Sequence, residues 1–172
     1  GPARGPALAR PATADRPCSA RYSRDFHRNG TQVSKVAWGG EVEVTIRAEV
    51  DCGIAGIDDL QGMAITETLP AGLTLSPISP GPDGTDPPPD AWSPTEAVWR
   101  FAAGAEDGGI MIREVRYRLR AAPVDPAVSA AGEARYAWGV AFDTTRLLRR
   151  EPEPLVERRP LTADIDIPLT VV

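Results

Sequence analysis

Side chains that commonly perform catalysis or bind metals are scarce in this sequence. It contains one histidine, His27, and two cysteines, Cys18 and Cys52. A Ser-His-Asp or Cys-His arrangement would have to use His27, yet this residue lies in the segment RDFHRN, whose polarity is typical of a surface position. Two cysteines and one histidine cannot complete a four-coordinate zinc site without carboxylates. We therefore expect a protein that is not an enzyme and that carries neither a metal site nor a cofactor.

The two cysteines favour a different chemistry, a disulfide bond. Cys52 falls on the apolar phase of the strongest strand pattern in the chain, and Cys18 directly follows a proline-rich segment. In an oxidising compartment this bridge would stabilise the fold by roughly 4 kcal/mol on the loop-entropy model. We therefore predict a Cys18–Cys52 bridge and a secreted, extracellular or cell-surface location. Two buried free thiols are the alternative.

The elements that must hold these side chains are predicted to be strands of one all-β domain. Glycine and proline, at 16 and 18 of the 172 residues, are too frequent for a helical bundle and are typical of short strands joined by turns. The clearest strand covers 41–52, where every second residue is apolar. Similar patterns predict further strands at 18–29, 32–38, 63–69, 72–78, 97–102, 110–121 and 133–143, with a loop at 53–62.

Residues 1–17, GPARGPALARPATADRP, are predicted to form an extended arm. They contain four prolines and show no apolar periodicity, so they should become ordered only against a partner. Residues 1–28 carry six arginines against two aspartates, a charge of +4, which leaves −9 on the rest of a chain whose net charge is −5. The arm of one copy could therefore bind the body of the next through Arg4, Arg10 and Arg16, although a solvated arm is the simpler interpretation.

The C-terminal segment shows the longest uninterrupted alternation in the chain. After the sandwich at 18–148, residues 149–160 (RREPEPLVERRP) are predicted to be a charged, proline-punctuated spacer. Residues 161–172 are then expected to form one long strand, which either completes the sheet of its own chain or is donated to a neighbouring copy. One face of this strand would carry Leu161, Ala163, Ile165, Ile167, Leu169 and Val171.

A second proline-rich segment, residues 79–96, is predicted to be a long surface loop. Loops longer than about 12 to 15 residues are uncommon without a role, so this one is a candidate contact surface. Its one large apolar residue, Trp92, could stack on a sugar, fill the pocket of a neighbour, or pack over its own loop. Its aspartates lack the spacing of an EF-hand calcium site and fit a solvated turn better.

Four segments together resemble a known family, the conserved-repeat immunoglobulin-like domains of bacterial and archaeal surface proteins. They are 39–46 (GGEVEVTI), 64–73 (AITETLPAGL), 98–101 (VWRF) and 115–119 (VRYRL). The LPAGL corner is the most specific of these, whereas Asp51-Cys52-Gly53 departs from the N-x-G usual in the family. The resemblance implies an immunoglobulin-like β-sandwich with an extracellular structural role, and it carries over no catalytic residue.

These observations lead to two functional hypotheses. The first is a secreted structural subunit of an extracellular filament or surface layer, whose copies assemble through exchange of a terminal strand or arm. The alternative is an accessory module that binds carbohydrate or protein through the 79–96 loop. Expected partners are other copies of the chain and, for the alternative function, a surface glycan. The net charge of −5 argues against nucleic acid, and no apolar stretch approaches the length of a membrane span.

Overall fold

The computed structural model describes residues 18–53, 58–76, 85–104, 107–123, 127, 132–148, 152–163 and 168–172. This part of the chain is built from β-strands and turns, and it contains no helix that could cross a membrane. The strands are β1 (Ser19–Arg28), β2 (Thr31–Gln32), β3 (Lys35–Val36), β4 (Glu41–Asp51), β5 (Asp58–Thr68), β6 (Thr74–Leu75), β7 (Ala91–Ser93), β8 (Glu96–Ala102), β9 (Ile110–Arg120), β10 (Ala134–Tyr136), β11 (Ala141–Leu148), β12 (Leu155–Thr162) and β13 (Leu169–Val171).

The strands form three sheets in a sandwich-like arrangement, consistent with the predicted immunoglobulin-like β-sandwich. One large sheet has the order β2-β1-β4-β9-β6, and the other has the order β12-β11-β5-β8-β7. A small third sheet has the order β10-β13-β3. The inward side chains of all three contribute to one hydrophobic core. The fold class predicted from the sequence is therefore confirmed.

Strand β4 lies at the centre of its sheet and follows the predicted alternation. Val44, Ile46 and Val50 are fully buried, whereas the alternating positions, which include Glu43 and Arg47, face solvent. Burying each large aliphatic side chain contributes about 1.5 to 3 kcal/mol. Strand β4 pairs antiparallel with β1 on one side and with β9 on the other. The period-2 pattern of the sequence is therefore a direct consequence of one buried and one solvated face.

The predicted disulfide bond between Cys18 and Cys52 is present. The β1–β4 register pairs Ser19 with Asp51, so the next position along the ladder brings the two cysteines opposite each other, with their Cα atoms 4.1 Å apart. Both cysteines are buried. The bridge therefore fixes the start of β1, and with it the point at which residues 1–17 join the sandwich.

The LPAGL corner connects the two large sheets. Its leucines, Leu69 and Leu73, are buried, and the Leu73 amide donates a hydrogen bond to the Pro70 carbonyl at 3.2 Å. Gly72 has a φ of +108°, and a Cβ at this position would overlap the Tyr136 hydroxyl. Glycine is required there both by the backbone conformation and by the close approach of Tyr136.

The region after β9 differs from the prediction in two places. The strand expected over 133–143 is interrupted, because β10 and β11 belong to different sheets and residues 137–140 cross between them. The segment 149–160, expected to be a spacer, contains most of β12, which pairs with β11 along its whole length. Strand β12 is an edge strand, and an edge strand tolerates the charges and the Pro160 that made the segment look like a linker.

The prediction of one long strand over 161–172 is also wrong. Strand β12 ends at Thr162 in one sheet, and β13 begins at Leu169 in another. Strand β13 runs antiparallel to β10 and parallel to β3 of the same chain, and Leu169 and Val171 are fully buried. The last strand therefore completes the sandwich of its own chain. Apolar and polar residues alternate in both β12 and β13 because each strand buries one of its faces, so the sequence pattern does not reveal the change of sheet.

Replacing Leu169 with alanine should destabilise the protein strongly. We expect a loss of about 2 to 5 kcal/mol in the free energy of unfolding, since the substitution leaves a cavity in a fully buried position. Urea denaturation measures this loss. The matched control is Val172→Ala, because Val172 is 48% exposed and should change stability by no more than about 0.5 kcal/mol.

Because β13 pairs within its own chain, the amides of Thr170 and Val172, which donate to Ser34 and Val36, should be protected from hydrogen exchange to the same extent at every protein concentration. Protection of these two amides that appears only at high concentration would show that this strand is exchanged between copies.

Candidate functional site

The histidine considered for catalysis lies near the far end of β1, beside the Asn29-Gly30 turn. His27 pairs with Gln32 and Glu43 across the sheet and is partly exposed. Among the described residues, no group of three or more His, Cys, Asp or Glu side chains is placed to hold a metal ion. His27 therefore has the surroundings of a surface residue, as its polar neighbours in the sequence predict.

The most concentrated polar chemistry is buried between the two large sheets. Arg24 of β1 and Glu67 of β5 form a bidentate ion pair, with Nε 3.0 Å from one carboxylate oxygen and Nη2 2.6 Å from the other. Their side chains are only 2% and 0% exposed. The pair thus connects a strand of one sheet directly to a strand of the opposite sheet.

Three aromatic residues complete this cluster. The Tyr117 hydroxyl donates a 2.7 Å hydrogen bond to Glu67, and the Trp138 indole donates one of 2.9 Å. The Arg24 Nη1 donates to the Trp138 carbonyl at 2.7 Å, and its guanidinium lies 4.4 Å from the centre of the Trp138 ring. Tyr22 also contacts the guanidinium, at 5.3 Å from its ring centre. We call Tyr22, Arg24, Glu67, Tyr117 and Trp138 the inter-sheet cluster.

Burial dominates the electrostatics of the inter-sheet cluster. Removal from water raises the pKa of Glu67, and the Arg24 guanidinium and the hydrogen-bond donors offset part of that rise. Desolvation opposes the charge of Arg24, but attraction to Glu67 is strong enough to raise the pKa of Arg24. Burial also raises the pKa of Tyr117 well above its usual value, and the Glu67 charge adds to this effect. The cluster is sealed from solvent, so its role is to join the sheets and to fix the Trp138 segment.

Removing one partner of the buried pair should therefore be costly. We expect Arg24→Met to lower the free energy of unfolding by about 3 to 5 kcal/mol, because Glu67 is left as an uncompensated buried acid. The matched control is Arg21→Met on the same strand, since Arg21 is 80% exposed and its 2.6 Å pair with Glu49 is screened by solvent. Thermal and urea unfolding measure both variants, and equal effects would contradict a structural role for the cluster.

The sequence signal for this cluster is a charged residue on the apolar phase of a strand. Arg24 lies between the inward residues Tyr22 and Phe26, and Glu67 lies between Ile65 and Leu69. Neither residue was among the functional residues predicted from the sequence. The pattern reveals that each charge is buried but not that the two form a pair.

The structure describes only some of the residues predicted to mediate assembly. Leu169 and Val171 are fully buried in their own sandwich, whereas Leu161 and Ala163 are partly buried against its core. These four side chains therefore support their own fold. The other predicted positions lie outside the described residues and stay predictions: Arg4, Arg10, Arg16, Ile165 and Ile167.

Trp92, the predicted ligand contact, lies on the edge strand β7. Its side chain is 57% exposed. Strand β7 pairs only with β8 within the described part of the chain, and all three of its residues are exposed. The predicted packing of Trp92 over its own loop does not agree with this exposure.

Four other large apolar side chains are exposed at the opposite end of the sandwich. Ile110 and Ile112 lie at the start of β9, and Leu155 and Val156 lie at the start of β12. The disulfide bond lies at this same end. Asp51, which directly precedes Cys52, pairs with Ile110 at the start of β9. Leu148 pairs with Asp58 at the start of β5 and with Leu155 at the start of β12. The isoleucines were not predicted to be exposed. The signal is their phase, because Ile110 and Ile112 fall on the same alternate positions of β9 as the outward-facing Arg116 and Arg118.

Comparison of the sequence with protein-family models and with curated proteins finds no match. Among solved structures, the chain is similar to the crystal structure of AggA, the major subunit of aggregative adherence fimbriae type I from Escherichia coli. The two chains are 9% identical, with a TM-score of 0.35 over 91% of this chain and 96% of that chain. A similarity of this size assigns neither a family nor a function to the present chain.

Proposed function

We propose that this protein is a secreted, non-catalytic structural subunit of an extracellular filament or surface layer. Its copies are joined by the N-terminal arm, residues 1–17, of one molecule bound to the body of the next. The observation that carries this proposal is the position at which residues 1–17 join the sandwich. They precede Cys18 at the disulfide end, whereas Val172 lies at the opposite end.

The position of the C-terminus follows from its hydrogen bonds. The Trp38 amide donates to the Val172 carbonyl at 3.0 Å, and the adjacent Gly39 amide donates to Ala121 at 2.8 Å. These residues lie beside the Glu41–Arg120 pair, at the start of β4. Cys18 lies beside the end of β4, eleven residues and about 36 Å away.

This geometry supports an open-ended assembly. An arm that leaves one end of a molecule and binds a different surface of its neighbour makes a heterologous contact, and such contacts repeat into filaments when the rotation does not close. Strand β13 already completes its own sandwich. Of the two terminal segments predicted to connect copies, the arm is therefore the one that we propose does so.

Charge and redox chemistry support the same proposal. The arm carries three arginines against one aspartate, a charge of +2, and residues 18–172 carry −7. Opposite charges on the two contact surfaces favour association and select its orientation. The disulfide bond is characteristic of proteins that function in oxidising, extracellular surroundings.

Neutralising the arm should weaken assembly. We expect the triple variant Arg4→Gln, Arg10→Gln and Arg16→Gln to shift the non-reduced protein from oligomers toward a monomer of 18.3 kDa. Size-exclusion chromatography with light scattering and negative-stain microscopy measure this shift. Assembly of the unmodified protein should also weaken as salt is raised.

The matched control changes three exposed arginines of the body, Arg100, Arg135 and Arg158, to glutamine. It alters the net charge equally but leaves the arm intact, so it should still assemble. An unmodified protein that remains monomeric at every concentration would overturn the proposal, as would a control that loses assembly to the same extent.

A second candidate function is an accessory module that binds carbohydrate or protein. The exposure of Trp92 favours it, because an exposed indole offers a flat apolar face for a sugar ring or a peptide. On this function Trp92 contacts the external ligand, and residues 1–17 are dispensable for binding.

A further inference from the structure

Within the residues that the structure describes, strand β7 presents an open sheet edge at the end of the sandwich opposite the disulfide bond. Ser93 pairs with Glu96, which in turn pairs with Thr68 at the end of β5. The turn between β7 and β8 is held firmly, because the Pro94 carbonyl accepts a 2.8 Å hydrogen bond from Leu75 and the Thr95 carbonyl accepts one from Leu69. An extended segment could therefore add to a fixed edge without rearrangement of the sandwich.

The surroundings of this edge are aromatic and acidic. Trp92, at 57% exposure, lies between Asp90, which directly precedes β7, and Glu96, which pairs with Ser93. Asp86 also precedes β7 in the sequence, but its amide and carbonyl bond Arg116 of β9 in the opposite sheet. All three acidic residues are exposed. Glu96 accepts a 3.0 Å hydrogen bond from Thr68, and Asp90 accepts one of 2.6 Å from the Arg100 amide, so both carboxylates are held in place at the edge.

A segment rich in arginine and proline has the complementary chemistry. Proline-rich chains adopt an extended polyproline conformation that docks on exposed aromatic side chains. Arginine both pairs with carboxylates and stacks on indole rings. Residues 1–17 contain Arg4, Arg10 and Arg16 together with four prolines, so they combine both properties.

The length of the arm allows this contact between copies. Seventeen residues at about 3.1 Å each extend roughly 50 Å, which exceeds the length of the sandwich along β4. When two copies stack end to end, the disulfide end of one lies next to the β7 end of the other. The arm therefore has to cross only the junction between them.

Resting on the proposed function, we propose that the edge strand β7, with Trp92 at its centre and Asp90 and Glu96 at its two ends, is the acceptor site for residues 1–17 of a second copy. The proline-free residues 7–10 of the arm supply main-chain hydrogen bonds to the β7 edge, and the prolines that flank them keep the segment extended. Contacts of arginine and proline with Trp92 and the acidic residues select this segment.

Photo-cross-linking of the full chain tests the acceptor site. A benzoylphenylalanine replaces Leu8 in the arm, and ¹⁵N-labelled and unlabelled copies are mixed in equal amounts before irradiation. Mass spectrometry then locates the cross-links. We expect them at residues 91–93, with about half of the products joining a labelled to an unlabelled chain.

Variants of Trp92 provide the controls. We expect Trp92→Ala to lower the cross-link yield about tenfold or more and Trp92→Phe to retain most of it, because phenylalanine keeps an aromatic face. Glu96→Gln keeps the hydrogen bond from Thr68 but removes a charge, so it should lower the yield and its salt dependence. Ser23→Ala, at an exposed position in the middle of β1 and away from both ends of the sandwich, should have no effect.

Other results would overturn the inference in distinguishable ways. Cross-links at β7 within single chains alone would mean that the arm binds its own molecule. Oligomers that cross-link elsewhere, and that persist in Trp92→Ala, would exclude β7 as the acceptor while leaving arm-mediated assembly intact. A monomer without intermolecular cross-links would overturn the proposed function itself, and a glycan that binds the unmodified protein but not Trp92→Ala would assign the surface to the binding-module function.

Discussion

The ion pair between Arg24 and Glu67 lies where the separate parts of the sandwich meet. It connects β1 of one large sheet to β5 of the other, and through Trp138 it holds the segment that leads from the small sheet into β11. A buried pair of charges tolerates little displacement, because each lost hydrogen bond leaves a desolvated charge without a partner. The relative position of the sheets, and hence of everything at their ends, depends on this contact.

The fixed arrangement of the sheets gives the molecule two different ends. At one end the disulfide bond anchors the arm beside a group of exposed aliphatic residues. At the other end lie the C-terminus, the LPAGL corner and the open edge of β7 with Trp92. The middle of the solvent-facing side of β4 and β9 is balanced in charge, since Glu43 lies opposite Arg118 and Arg47 lies opposite Glu114. The features suited to contact with another copy are therefore concentrated at the ends.

Several parts of this structure could be predicted from the sequence, since local pattern determines them. The alternation in β4 predicts its buried face, and the same phase places Cys52 opposite Cys18. The remaining features depend on contacts between distant residues. The pairing of Arg24 with Glu67 joins positions 43 residues apart, and an unbroken alternation conceals the change of sheet between Thr162 and Leu169. The sequence of β12 also fits a spacer, because an edge strand tolerates proline and charge, and both are typical of linkers.

The repeat distance of the native assembly is the best test of whether copies of this sandwich join end to end in one direction. Electron microscopy of the non-reduced protein, with helical reconstruction, measures the axial rise per subunit and the polarity of the filament. End-to-end copies of this sandwich should give a polar filament with a rise of about 35 to 45 Å, set by the length of its longest strands. A closed two-fold dimer would contradict the account, and so would a population of monomers alone.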